Sequence, residues 1–287
     1  MKKVIRGFLI AAVVLVLLGT VLGIGGLAAG GMQAAENRFR NRGWQQELDE
    51  LDDFDDYQEV EPLLQEEGMK FPVSNLQKLD IQVLKSEVQI IEGTSNEEIY
   101  VWTDQGDYRA QMKNGCLSIN SDSRANDSIL YVEIPSGFLF WEVDIQMGAG
   151  LIEIPSLNAK QVEIEVGAGE VEIGKLSAEE ADFEVGAGLI SVNGAVVETC
   201  SVSVDMGEAL YEGTITREGD VECNMGNVSL QLTGQETDYN YQLECAAGSI
   251  DIGNNSYSGL GDEKFIDHHA AATIDVECAM GTVSIEF

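Results

Sequence analysis

Three kinds of side chain in this 287-residue chain could do chemistry: carboxylates, thiols and imidazoles. Carboxylates dominate, with 50 Asp and Glu against 16 Lys and Arg and a net charge of −34. Several recur at one spacing. Asp144, Glu163 and Asp182 stand 19 residues apart, as do Glu165 and Glu184. Glu222, Glu244 and Glu277 hold the equivalent place in later segments. Like charges stacked on neighbouring strands repel. A divalent cation would relieve that, and calcium is the hard, oxygen-seeking candidate in an envelope. Glu222, Glu244 and Glu277 are therefore the candidate cation ladder. The plainer reading is a solvated acidic face screened by salt.

The thiols and imidazoles offer less. Cys116, Cys200, Cys223, Cys245 and Cys278 form no CxxC pair. Cys223, Cys245 and Cys278 share an otherwise apolar column and read as buried small hydrophobes. A Cys223–Cys245 disulfide between neighbouring coils is conceivable but strained. His268 and His269 follow Asp267, yet adjacent imidazoles on an extended chain point apart, against a metal pair. No GxSxG, HExxH or Walker loop occurs. The GAG triplets lack the following helix that a dinucleotide site needs. No catalytic or cofactor-binding residue emerges. We expect no enzyme and no cofactor, calcium being the one ion considered.

These residues are positioned by a repeat. Copies such as VDIQMGAGLIEI (143–154), VEIEVGAGEVEI (162–173) and ADFEVGAGLISV (181–192) mark it, each carrying a register glycine. The glycines are Gly150, Gly169, Gly188, Gly207 and Gly226, each 19 apart, then Gly248 and Gly281 after gaps of 22 and 33. An earlier copy, 79–90, has Ser86 at the mark. Positions five and three before the mark, and two and four after it, are apolar or small in every copy. Mostly polar residues fall between. This is period-two alternation, a strand with one buried face. The glycine between the two strands suits a tight bend with positive φ. A unit of about 19 residues cannot bury its own face and must stack on its neighbours. The expected fold is all-β, a single-stranded parallel β-solenoid with roughly 19-residue coils.

Residues 1–31 read as a short cytoplasmic stub and a transmembrane helix. The run 7–27 carries no charge and would span about 31 Å as a helix. Its length favours an uncleaved anchor over a signal peptide. Lys2, Lys3, Arg6 and the α-amine favour the N-terminus inside. Residues 32–70 form an acidic linker and 71–287 the solenoid domain. Within it, 91–142 reads as irregular coils or a cap, and 253–272 as a loop insertion in the last repeat. The final strand, 282–287, reads as an uncapped edge. The negative charge argues against nucleic acid as a partner.

The units VGAGEVEI (166–173), VGAGLISV (185–192), MGNVSL (225–230) and MGTVSIEF (280–287), with the N-terminal apolar run, resemble the putative-adhesin domain family of unknown function. The resemblance covers roughly 79–287. It implies a β-solenoid displayed at the bacterial cell envelope and brings no catalytic or binding residues. We expect a membrane-anchored, extracytoplasmic, non-catalytic domain presenting an acidic surface, adhesin-like or envelope-sensing. Its partners would be the membrane and an envelope protein or polymer. The alternative is a cytoplasm-facing, membrane-tethered scaffold that polymerises end to end through solenoid ends.

Overall fold

The computed structural model describes residues 58–60, 68–104, 108–121, 129–259 and 263–287. The chain divides into two units, Met1–Phe54 and Asp55–Phe287, and the described residues all lie in the second. The expected membrane segment, 7–27, and most of the acidic linker fall outside them. Among the described residues no helix is long and apolar enough to cross a membrane.

The described part is all-β, as the alternation requires. Seven strands precede the regular copies: β1 (Gln58–Val60), β2 (Met69–Pro72), β3 (Lys78–Gly93), β4 (Glu98–Thr103), β5 (Tyr108–Lys113), β6 (Cys116–Ser121) and β7 (Ile129–Pro135). The copies themselves supply β8 (Leu139–Ile154), β9 (Leu157–Val166), β10 (Glu170–Ile173), β11 (Leu176–Val185), β12 (Leu189–Val204), β13 (Glu208–Cys223) and β14 (Asn227–Leu232). Six more close the chain: β15 (Tyr239–Cys245), β16 (Ser249–Ile252), β17 (Asn255–Ser258), β18 (Lys264–Ile266), β19 (Ala272–Cys278) and β20 (Thr282–Glu286).

The 19-residue spacing is the pairing register. Val171 of β10 lies between Ile152 of β8 and Ile190 of β12, all parallel. Phe183 of β11 lies between Ile164 of β9 and Val202 of β12. Each paired copy is a rung, and like residues sit about 4.8 Å apart along the stack. The apolar columns turn inward: Ile145, Ile164, Val171 and Ile190 are all at most 1% exposed. Truncating one such isoleucine to alanine should cost about 2–5 kcal/mol, because packed neighbours close a cavity only in part.

The register glycines act differently from the expectation. Only Gly150 among them has φ in the region that disfavours a side chain, at 134°. The others are required by close approach. A Cβ on Gly169 would lie 2.7 Å from the carbonyl oxygen of Gly150. Those on Gly188, Gly207, Gly226, Gly281 and Gly248 would strike the carbonyls of Gly169, Gly188, Gly207, Gly226 and Gly281. The same carbonyls accept ladder bonds, such as Leu189 N–H to Gly169 O at 2.9 Å.

That glycine chain also fixes the order of rungs, and here stack order departs from chain order. The last copy lies inside. β19 pairs with β13 on one side and β15 on the other, and β20 pairs with β14 and β16. Cys278 therefore separates Cys223 from Cys245, so the disulfide considered between those two has no neighbouring partners to join. All five cysteines are free thiols. The final strand is equally not an open edge. The cause is the insertion 253–272. It turns back at Gly253, with φ 54°, and β17 and β18 pair antiparallel with β16 and β15. One edge of that rung is thus taken, and the returning chain fits against the other.

The opposite end is built similarly. β6 and β7 pair in parallel with β3 and complete a rung. β5 and β4 then cover them antiparallel, with β1 on β5 and β2 on β4. Residues 91–142 thus hold both irregular rung and cap. Edge strands of three or four residues leave little template for further pairing.

Candidate functional site

Outward positions between the apolar columns fall into ladders of their own. Six residues before the mark, the stack order is Ser118, Asp80, Asp144, Glu163, Asp182, Ser201, Asp220, Asp275 and Gln242. Four before the mark it is Asn120, Gln82, Gln146, Glu165, Glu184, Ser203, Glu222, Glu277 and Glu244. The two ladders are two residues apart on each strand and share one face. All the carboxylates singled out from spacing are on it. Asp80, Asp220 and Asp275 belong to it as well and were missed. Applying the six-before-mark rule to every copy would have found them.

The face has two acidic islands. Asp80, Asp144, Glu163, Glu165, Asp182 and Glu184 form one, and Asp220, Glu222, Asp275, Glu277 and Glu244 the other. Ser201 and Ser203 of β12 separate them. At the first island's end, the Lys78 ammonium donates to Glu142 Oε1 at 2.8 Å and lies 3.6 Å from Asp144 Oδ2. Burial pulls the Lys78 ammonium down, but the Glu142 hydrogen bond and the charges of Asp144, Glu142 and Asp80 outweigh it, so its net shift is upward.

The crowding is visible in proton affinity. Burial, then the charges of Glu184, Glu163, Asp144 and Asp182, push Glu165 up to about 7. Burial and the carboxylates of Asp144, Asp182 and Glu184 raise Glu163, with Lys78 opposing. Burial raises Asp182 against a hydrogen bond from Ser201. In the second island burial and Asp220 raise Asp275, and burial, Glu244 and Glu222 raise Glu277. The middle glutamate of that trio is Glu277, because the stack reads Glu222, Glu277, Glu244. Such a face can gather cations and hold protons near neutrality. It has no nucleophile and base set for turnover.

The remaining candidates disperse. His268 Nδ1 lies 2.7 Å from the Tyr239 carbonyl, and its backbone N–H donates to Asn240 Oδ1 at 3.0 Å. His269 is 90% exposed and lies 3.2 Å from Asp267. The two rings thus face different partners. Among the described residues, no group of three or more His, Cys, Asp and Glu is gathered to hold a metal ion.

The glycine ladder and alternating columns span the same residues as a known family. A family model described as Toastrack DUF4097 matches residues 76–285. The chain belongs to the Toastrack DUF4097 family. Similar solved structures include a putative adhesin from Bacteroides fragilis NCTC 9343, 11% identical, covering 76% of this chain and 95% of that one, with TM-score 0.44. A putative adhesin from Parabacteroides merdae ATCC 43184 is 12% identical, over 76% and 94%, with TM-score 0.37. A putative cell adhesion protein from Clostridium sporogenes ATCC 15579 is 9% identical, over 80% and 99%, with TM-score 0.30. At these scores the likeness carries no structural argument. No curated protein matches the chain.

Proposed function

We propose that this chain is a membrane-anchored, extracytoplasmic β-solenoid that presents an acidic surface to a cationic partner and performs no turnover. The observation that carries the reading is the two-ladder carboxylate face. Its charges are raised in proton affinity by mutual repulsion and are left largely without cations beyond Lys78. A basic protein segment or polycationic envelope polymer would relieve that repulsion along many rungs at once. The family resemblance implies display at the envelope, and the uncharged run 7–27 supplies the anchor. The solenoid domain is 71–287 in this reading, with 32–70 as spacer.

Calcium acts here as a counter-ion along the ladder of Glu222, Glu277 and Glu244. Millimolar calcium should raise the melting temperature more than sodium at equal ionic strength. Equal effects would leave only screening. The cytoplasmic scaffold reading drew its support from an open final strand. β20 is paired on both sides, so that support is gone.

Topology is the deciding measurement. Ser74 is exposed in the short turn Val73–Asn75 and suits a single introduced cysteine, with the native cysteines replaced. A membrane-impermeant thiol reagent should label Ser74→Cys on intact cells. Protection until lysis would put the domain in the cytoplasm and overturn the proposal.

A further inference from the structure

The position immediately before each register glycine forms a third outward column, lying at the bend. In stack order it reads Lys85, Ala149, Ala168, Ala187, Met206, Met225, Met280 and Ala247. The three methionines are consecutive. Val204 pairs with Cys223 and Glu208 with Asn227, which sets Met206 beside Met225. Cys223 pairs with Cys278 and Asn227 with Thr282, which sets Met225 beside Met280. These residues come from widely separated parts of the chain, and the slipped last rung brings Met280 into line.

Burial does not account for them. Met206 is 55% exposed, Met225 41% and Met280 42%. Alanine serves the same position in four other rungs, so the bend needs no long side chain there. Three thioethers in line, about 4.8 Å apart at the backbone, sit on unbranched side chains that rotate freely. Their sulfurs can converge on one point above the column. Asp205, exposed on the rung of Met206, supplies negative charge beside them, and Asn224 Nδ2 donates to its Oδ1 at 3.0 Å.

We propose that Met206, Met225 and Met280 form a binding site for a soft monovalent cation, of which Cu(I) is the biological example. Thioether sulfur favours such ions over hard divalent ones, and three neutral donors suit a singly charged ion. The cysteines beneath the same bends do not compete. Cys223 and Cys278 donate their thiol protons to the Gly226 and Gly281 carbonyls, each at 3.2 Å. Burial, first of all, pushes the Cys278 thiol up to about 11, so it stays protonated. The Asn224–Asp205 bond holds the one nearby carboxylate in place as a charge partner.

The test uses the full chain in detergent micelles, with methionine methyls labelled by carbon-13. Under anaerobic reducing conditions, Cu(I) is titrated against a chromophoric chelator. Silver(I) serves as the redox-inert probe for the methyl spectrum. One equivalent should bind, and three of the eight methionine methyl signals should shift together. Each of M206L, M225L and M280L should weaken binding by about tenfold or more, and the triple variant should lose it. These exposed positions tolerate leucine, and the wild-type spectrum is informative by itself. Unshifted methyls, undiminished binding by the triple variant, or the same shifts with Zn²⁺ would each overturn the site.

Discussion

The rungs from β8 to β13 and the rungs from β14 to β20 obey one register and two different orders. In the first region chain order is stack order, and every neighbour is 19 residues away. In the second, residues 272–286 slide between β13/β14 and β15/β16, so the neighbour of Val221 is Val276. The difference shows what a repeat encodes. Period-two columns and close-approach glycines specify how any two copies pair. They do not specify which copies meet. That is decided by connections, here the hairpins of β17 and β18, which occupy one edge of the β15/β16 rung.

The largest test of this contrast is removal of Thr282–Phe287. If those residues formed an edge, the rest would survive with a frayed end. Inside the stack, their loss strips the partner from both β14 and β16 and deletes Val283 and Ile285, each fully buried. Two such side chains are worth about 2–5 kcal/mol each, against a typical domain stability of about 5–15 kcal/mol. The truncated chain should lose its cooperative melting transition. A transition like the full chain's would show that β20 is peripheral.

Next in size are the glycines. Gly226→Val and Gly281→Val should be equally damaging, at about 4 kcal/mol or more, although one follows chain order and the other does not. In both, the Cβ meets the carbonyl of the adjacent register glycine. Gly137 is the control. Its φ is 70°, but a Cβ there meets nothing within 4 Å, so Gly137→Ala should cost only about 1–2 kcal/mol. Denaturant melts of the three variants give the comparison.

The sequence showed its strands, faces and register directly, because alternation of Val and Ile with Asp and Glu is a local signal. It also exposed most of the carboxylate columns. It did not show why Gly188 or Gly226 must be glycine. A bend and a close backbone contact demand the same residue, and only the neighbouring carbonyl distinguishes them. It could not order the last rungs, since the columns of β15/β16 and β19/β20 match those of β13/β14 equally well. The methionine column was hidden for the same reason. Met225 and Met280 are 55 residues apart and become neighbours only through the slip.

Protons give a smaller effect, located in the regular region. Glu165, raised to about 7, binds its proton more tightly folded than unfolded, where it titrates near 4.5. Its destabilising influence is absent below the unfolded value. It grows as pH rises between the two and is complete above about 7. Acidification from about pH 8 to about pH 5 should therefore raise the melting temperature. Glu165→Gln should raise it by about 2–4 °C at pH 8, the scale of a kilocalorie in a domain this size. It should also flatten the dependence through that window. A wild-type curve that falls on acidification, with Glu165→Gln parallel to it, would remove Glu165 as the cause.

The smallest effect discriminates the two orders most cleanly. Stacked by chain order, Glu244 would stand between Glu222 and Glu277 and meet both charges. Stacked as the pairing runs, Glu277 is the middle one, and its proton affinity is raised by burial and by both neighbours. Neutralising the middle charge removes two repulsions, whereas neutralising an outer one removes one of that pair. Each repulsion between neighbouring strands is worth a few tenths of a kcal/mol, less in salt because the face is exposed. At low ionic strength Glu277→Gln should therefore stabilise more than Glu244→Gln, by about a factor of two, and the gap should close in high salt. Placing the larger gain at Glu244 would restore chain order. Glu222 needs its own measurement, since across β12 it faces Ser203 rather than a charge.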